Sequence, residues 1–303
     1  MASNNFVVDT LPAYVENNRD LLLKNFALVG GDTRRRISIQ TGIKKDAYIN
    51  FLDLTPALQD GTVCEFTPSG AAILTQRVIN TAAIKVDMDI CPRNLRGKWA
   101  EYLIRINATA EELPFEEYIV RGVVDEINKK IENLIWQGDT TLTTNPDLKW
   151  IDGFLKIAGN EADVVDVTLT GTAYQKVLAV YNALTEEAIE RGAEIYVSPA
   201  DFRAFMQDMV TSNFFHYNPG NDNFGEFLIP GTDTKVVRTP GLKGSTSMLG
   251  TFPANLYYGT DMENDEEDID LWYSRDDRVF KLEALWNSGV QIAFPAHVVL
   301  GTV

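Results

Sequence analysis

Few side chains in this sequence are equipped for chemistry, and their spacing narrows the choice further. The 303 residues hold two cysteines, Cys64 and Cys91, and two histidines, His216 and His297. Two thiols cannot build a four-ligand zinc site or a disulfide-dense fold. His216 stands among Phe214, Phe215 and Tyr217, a loop setting that suits packing or a contact surface better than a nucleophile–base pair. No Gly-x-Ser-x-Gly, Walker loop, His-Glu-x-x-His or Cys-x-x-Cys motif occurs. The dense cluster of ligand-type groups is acidic: Asp261, Glu263, Asp265, Glu266, Glu267, Asp268 and Asp270. It lacks the glycine and the spacing of a helix–loop–helix calcium site, so a solvated acidic turn between strands is expected, with weak divalent-cation binding as the alternative. The triplet Arg34-Arg35-Arg36 reads as a solvated turn, with a partner's carboxylates or DNA as alternative targets. No cofactor or metal is expected.

The whole chain restricts the function further. Hydrophobic residues make up 45% and charged residues 23%, enough apolar mass for one large core or two smaller ones. The net charge of −16 opposes wrapping of nucleic acid by phosphate neutralisation. It suits a protein that lines a DNA-filled container without gripping the contents, and it suits many acidic enzymes too. No run of about 18 apolar residues exists, so no membrane-spanning helix is expected. The start Met1-Ala2-Ser3-Asn4-Asn5 has neither the basic nor the apolar region of a secretory signal, which predicts a cytoplasmic protein or something assembled there.

The elements that must position these residues follow from periodicity and punctuation. Thr10 and Pro12 predict the start of an amphipathic helix over roughly 11–28, with Val15, Leu22, Leu23 and Phe26 apolar and Gly30-Gly31 as its stop. Ile37-Ser38-Ile39 reads as a short strand. Residues 66–76 carry no charge and include the turn signal Pro68-Ser69-Gly70. Ile84-Lys85-Val86-Asp87-Met88-Asp89-Ile90 alternates strictly, which predicts a strand with Ile84, Val86, Met88 and Ile90 on one face. Together these predict a two-stranded hairpin over about 62–90, marginal by itself and in need of a surface to lie on. Cys64 and Cys91 bracket it and form a candidate thiol pair at its base, although reduced thiols are the default in cytoplasm.

Pro114 opens the longest predicted helix, about 114–136, with Ile119, Val123, Ile127, Ile131 and Leu134 in one stripe. At 1.5 Å per residue it would span roughly 35 Å. A polar linker over 140–146 predicts a domain boundary near 148–153. Beyond it an α/β unit is expected: a helix over 172–191 stopped by Gly192, a strand at 194–197, and a helix from Ser198-Pro199 to Met209 burying Phe202, Phe205 and Met206. Residues 212–225 read as loop, and strands are predicted at 235–237, 256–258, 269–272, 278–282 and 290–294.

This order of parts resembles the Hong Kong 97-type capsid fold of tailed bacteriophages, an α+β architecture with an N-arm, an extended E-loop, a P-domain with a spine helix, and an α/β A-domain. The strings Cys64-Glu65-Phe66-Thr67-Pro68-Ser69-Gly70, Cys91-Pro92-Arg93-Asn94-Leu95, Ile135-Trp136-Gln137-Gly138-Asp139, Trp150-Ile151-Asp152-Gly153-Phe154, Tyr196-Val197-Ser198-Pro199-Ala200-Asp201-Phe202 and Asn255-Leu256-Tyr257-Tyr258-Gly259-Thr260-Asp261 look like those of major capsid proteins from phages infecting Bacteroidetes. The resemblance covers nearly the whole chain. It implies an N-terminal arm and helix over 1–36, an E-loop region over 37–95, a P-domain over 96–150, an A-domain over 151–250 and returning C-terminal strands over 251–303. Many such proteins carry a scaffolding segment before the N-arm; this sequence opens almost at a helix, so a separate or removed scaffold is expected. Some crosslink a hairpin lysine to a neighbour. Lys85 lies in the predicted hairpin, but no partner matches, and no crosslink is carried over.

The implied function is structural and not enzymatic: a self-assembling subunit of an icosahedral virion, built in the host cytoplasm from hexamers and pentamers around double-stranded DNA. Implied partners are other copies of the chain, scaffold and portal proteins, decoration proteins, and packaged DNA without sequence-specific contact; no membrane is implied. Candidate inter-subunit contacts are Phe66, Ile73, Leu74, Ile84, Val86, Met88 and Ile90. An encapsulin-type nanocompartment shell is the nearest alternative, distinguished by protein cargo in place of DNA. A soluble acid/base hydrolase using Asp and Glu would instead be a monomer or small oligomer with a deep pocket. A tail or adaptor protein would form rings or tubes.

Overall fold

The long helix organises the described part of the molecule. The computed structural model describes residues 32–43, 45–58, 70–91, 115–212, 225–261, 269–274, 276–277 and 279–303. The helix predicted over 11–28, the residues Cys64 and Phe66, the loop around His216 and residues 262–268 of the acidic stretch lie outside them. In chain order, β1 is Ser38–Gln40, β2 Asp46–Pro56, β3 Gly70–Asn80 and β4 Ala82–Ile90, and the long helix α1 is Phe115–Gln137. Then follow α2 (Phe154–Asn160), β5 (Val165–Thr168), α3 (Ala173–Ala183), α4 (Glu186–Glu190), β6 (Glu194–Val197) and α5 (Pro199–Thr211). The rest is mainly strand: β7 (Glu226–Leu228), β8 (Lys235–Arg238), β9 (Met248–Thr251), β10 (Leu256–Thr260), β11 (Ile269–Ser274), β12 (Val279–Ile292) and β13 (Val299–Thr302).

Among the described residues the strands form three sheets. One runs β1-β10-β12-β11, with β4 on the other side of β12; one runs β5-β13-β9-β6-β8-β7; β2 and β3 pair by themselves. α1 lays its stripe against the first sheet. Ile127, Ile131, Leu134, Ile135 and Trp136 are buried in one core with Ile84, Ile90, Phe280, Leu282 and Trp286. A second core sits between α3, α5 and the six-stranded sheet, around Val177, Val180, Phe205, Met209, Ile195 and Val236.

Two expectations are corrected, and the junction near 148–153, where a domain boundary is expected, is closely packed. Gly153 N–H bonds to Gly138 O at 2.8 Å and Asp139 N–H to Leu148 O at 2.8 Å. A Cβ on Gly153 would meet Gly138 N at 2.7 Å, so the end of α1 and the start of α2 cross with no room for side chains. The Trp136 ring then packs on both Phe154 and Tyr196, at 5.4 Å and 5.0 Å between ring centres, and the first core continues into the second sheet.

The helix expected over 172–191 is two. Thr172 and Gln175 form a reciprocal capping box at the start of α3, but Leu184 and Thr185 are extended. The Thr185 hydroxyl accepts from Ala188 N–H at 3.3 Å and caps α4, the competition with helix propagation expected of a threonine there. Gly192, at φ +79°, ends the unit as predicted.

The strands expected at 278–282 and 290–294 belong to one strand, the 14-residue β12. Asn287-Ser288-Gly289 looks like a breaker in sequence. In the fold, Asn287 donates from its backbone and its amide to Asp261, at 2.9 Å and 2.6 Å, and Ser288 is buried beside Tyr258.

Candidate assembly surface

The hairpin is present but lies one strand earlier than predicted. β2 and β3 pair antiparallel in register from Asp46↔Asn80 to Pro56↔Gly70. β4, expected as one arm of it, instead pairs along β12 from Ala82↔Ser288 to Ile90↔Phe280. The alternation of β4 was read correctly as half-buried strand; its partner lies almost 200 residues away, and sequence spacing does not reveal that. The single residue Thr81 separates β3 from β4, too short a link for a hairpin turn, so the chain passes from one sheet into the other.

The ribbon is held at its root. Ile43, Ile49 and Ile79 form a small buried cluster, with Ala47, Phe51 and Tyr257 packed on it. Phe51 lies 4.6 Å from Phe294 between ring centres. Gln291 Nε2 donates to Val78 O at 2.7 Å, and Arg77 pairs with Glu161. Farther out, described side chains of β3 open to solvent. Ile73 is 54% exposed and Leu74 70%, and Thr75 and Gln76 are exposed with them. At about 3.4 Å per residue, 11 paired residues make a ribbon of roughly 35 Å. Its outer part exposes apolar side chains with no charge between Gly70 and Gln76.

A second apolar surface is the groove of about 780 Å³ between β4 and α1. Val86, Met88, Val123, Ile127, Trp150 and Trp286 line it, with Glu126, Lys130 and Asp147 also on its wall. Outside the groove, Asp87 and Glu283 stand directly opposite across β4 and β12, a like-charge pair that would repel. Lys85 bridges them, at 3.1 Å to Asp87 and 2.8 Å to Glu283, and the hydrogen bond to Glu283 followed by that to Asp87 raises its pKa.

The predicted contact residues therefore divide. Ile73 and Leu74 are exposed on the ribbon. Met88 (42% exposed) and half-buried Val86 line the groove. Ile84 and Ile90 are corrected: at 6% and 5% exposure they belong to the subunit's own core, because β4 turns that face onto α1. Phe66 lies outside the described residues. So does Cys64, the proposed partner of Cys91, which carries a half-buried free thiol on the groove wall.

The arginine triplet is corrected at two of its positions. Arg35 is exposed, as expected, but Arg34 is buried and Arg36 half-buried, and both engage carboxylates of their own chain. Arg36 joins Glu194 at 3.4 Å and also pairs with Glu226, which links the turn before β1 to β6 and β7. Burial pushes the Glu194 carboxyl above its usual range, and Arg36 only partly offsets that. For Glu226 burial also pushes upward, but the bond and charge of Arg36, helped by Lys235, outweigh it and hold the carboxyl low. Burial drives the Tyr196 hydroxyl well above its ordinary value, with the neighbouring Glu194 charge adding to it. Among the described residues no group of three or more His, Cys, Asp or Glu side chains converges on a metal position, and no helix is long and apolar enough to cross a membrane.

Sequence reasoning missed β2 and these carboxylate partners. The signal for β2 was available in Ala47, Ile49 and Phe51, which alternate with polar or exposed positions. Nothing in the sequence joins Arg34 or Arg36 to carboxylates that lie about 100 to 190 residues away.

No protein-family model and no curated protein matches the sequence. Solved structures do. A chain of the satellite phage P4 procapsid, solved with its size determination protein, is similar at a TM-score of 0.59 and 14% identity, over 94% of this chain and 98% of that one. The capsid of an empty GTA particle gives 0.55 at 12% identity, over 89% of each chain. A virus-like particle from Pyrococcus furiosus gives 0.51 at 9% identity, over 97% of this chain and 99% of that one. At such identities the likeness is one of fold: this chain has a mixed α/β fold similar to that of phage capsid proteins.

Proposed function

We propose that the chain is a structural subunit of an icosahedral viral capsid, with no catalytic role, and that it assembles into hexamers and pentamers enclosing double-stranded DNA. The likeness to procapsid and capsid chains over almost their full length carries this reading. The ribbon β2–β3 supplies its mechanism. Two strands with an exposed apolar end are marginal in water and invite edge pairing. Laid on a neighbouring copy, that end leaves water at roughly 25 cal/mol per Å². The contact joins different patches on two copies, so it is head-to-tail, the type that makes rings when the rotation between copies closes. The net charge of −16 keeps the subunit soluble and leaves packaged DNA without a broad grip. Scaffold, portal and decoration proteins are the expected partners, and the virion is the expected location.

Expression of the full chain with a scaffold protein, followed by negative-stain microscopy and sedimentation, tests the proposal. Closed shells or ring-shaped oligomers are expected; a monodisperse monomer at high concentration would overturn it. An encapsulin-type compartment is the second reading, since a chain described as a virus-like particle from Pyrococcus furiosus has a similar fold. Nuclease-protected DNA inside the shells supports the first reading, and packaged protein supports the second.

A further inference from the structure

The two sides of the ribbon β2–β3 are used differently. Alternation and register put Ala47, Ile49 and Phe51 on one side with Ile79, Arg77 and Thr75. The inner half of that side is taken up by the subunit's own body. Ile49 and Ile79 are buried, Phe51 packs on Phe294, and Arg77 pairs with Glu161. Tyr48 and Asn50 belong to the other side, with Val78, Gln76 and Leu74. There Tyr48 is 58% exposed and Leu74 70%, Asn50 and Gln76 are exposed between them, and Val78 is half-buried. This side is therefore open from the root outward, not only at its end.

Its composition suits burial. Register pairs Tyr48 with Val78, Asn50 with Gln76, Leu52 with Leu74 and Leu54 with Ala72, and none of these residues is charged. Arg77 and Asp53 occupy positions on the opposite side. Gln76 Nε2 donates to Asn50 Oδ1 at 3.0 Å, so the two amides meet part of each other's hydrogen bonding and cost less to remove from water. Tyrosine, a broad apolar ring with a polar tip, is enriched at the centres of protein interfaces.

Size and charge indicate the occupant. From Tyr48 to Leu54 the open side is about 20 Å long and about 10 Å wide. That is roughly 200 Å², about a quarter of what each partner buries in a stable pair of proteins. A contact so small holds when it is repeated, as among identical copies around a closed ring. On a chain of net charge −16, like charge opposes the approach of a second copy, and it opposes least where the surface carries none. A basic partner would instead seek the acidic faces. We infer that the side of the ribbon carrying Tyr48, Asn50, Leu74, Gln76 and Val78 is the surface that a second copy of this chain covers. The inference refines the shell-forming reading and rests on it.

The full chain, co-expressed with a scaffold protein, carries the test. Tyr48→Asp and Leu74→Asp put charge on the open side, and Thr75→Asp puts the same charge on the other. All three positions are exposed, so melting temperatures should stay within about 3 °C of the parent. The subunit concentration needed for shells should rise at least about tenfold for Tyr48→Asp and Leu74→Asp, and less than about twofold for Thr75→Asp. The photocrosslinking residue p-benzoylphenylalanine, placed at position 74, should join one copy to another. Equal effects of the three Asp variants would overturn the choice of side. Tyr48→Asp without effect would confine the contact to the ribbon's end and also sink the inference, as would crosslinks from position 74 to the scaffold but not to a second copy. If the parent forms no shells, the shell-forming reading fails. Copies joined through position 74 in concentrated subunit would then still support the open side, and their absence would overturn it as well.

Discussion

Gly259 and Gly289 face one another directly across β10 and β12, and the root of the hairpin lies on the bare patch they make. A Cβ on Gly289 would come within 2.3 Å of Asn80 O, and one on Gly259 within 2.8 Å of Ile43 Cδ1 and 2.9 Å of Ile79 Cγ2. The ribbon's anchorage is therefore written into β12 and β10 as well as into the ribbon. Gly289→Ala presses on backbone, which cannot yield as a side chain can. We expect a loss of about 1–3 kcal/mol, with faster exchange in β2 and β3 before global unfolding. Urea melts with hydrogen exchange check it, and unchanged protection of the ribbon would refute it.

Ile73 and Leu74 should matter to assembly and not to folding. Both are exposed, so Ile73→Asp/Leu74→Asp should change subunit stability by no more than about 0.5 kcal/mol. Placed on an apolar neighbour, the same charges would be costly to bury. Sedimentation velocity should show assembly weakened while circular dichroism melts coincide with the parent's. Shells that close normally would remove the ribbon from the interface.

Ile84 is the converse case on the adjacent strand. It is buried against α1 and Trp286 in the first core, so Ile84→Ala should cost about 2–5 kcal/mol in the free subunit. A near-neutral melt, with loss only of assembly, would show that the residue faces a neighbour after all.

Glu226 and Glu194 share Arg36 and should pull the pH profile in opposite directions. A carboxyl whose folded pKa is depressed, as for Glu226, stabilises above its unfolded pKa and loses that contribution as pH falls through the folded value. One whose folded pKa is raised, as for Glu194, contributes fully below the unfolded pKa and loses that as pH rises through the folded value. Glu226→Gln should therefore flatten the acid limb below about pH 4.5, at a cost near 1 kcal/mol at neutral pH. Glu194→Gln should leave the acid limb and flatten the loss of stability on the rise above about pH 4.5. Urea melts between pH 3 and 7 decide it, and identical profiles for both variants would contradict the assignment.

The sequence by itself determined the local elements whose causes are local. α1 was legible because Val123, Ile127, Ile131 and Leu134 repeat with the helical period. α5 was legible because Ser198-Pro199 both caps and opens it, and β4 because its residues alternate. Turn chemistry likewise placed Gly192 at the end of α4. What only the tertiary structure decided is partnership. Alternation says that β4 is half-buried, but not that β12 and α1 bury it, since a strand's period is the same whatever it pairs with. Arg34 and Arg36 look solvated until a folded chain brings Glu132, Glu194 and Glu226 to them. Gly289 looks like a break until Asn80 is seen to need the space it leaves. Each of these depends on contacts across about 100 residues or more, where the free energy lies in burial and charge pairing and leaves no periodic trace in the chain.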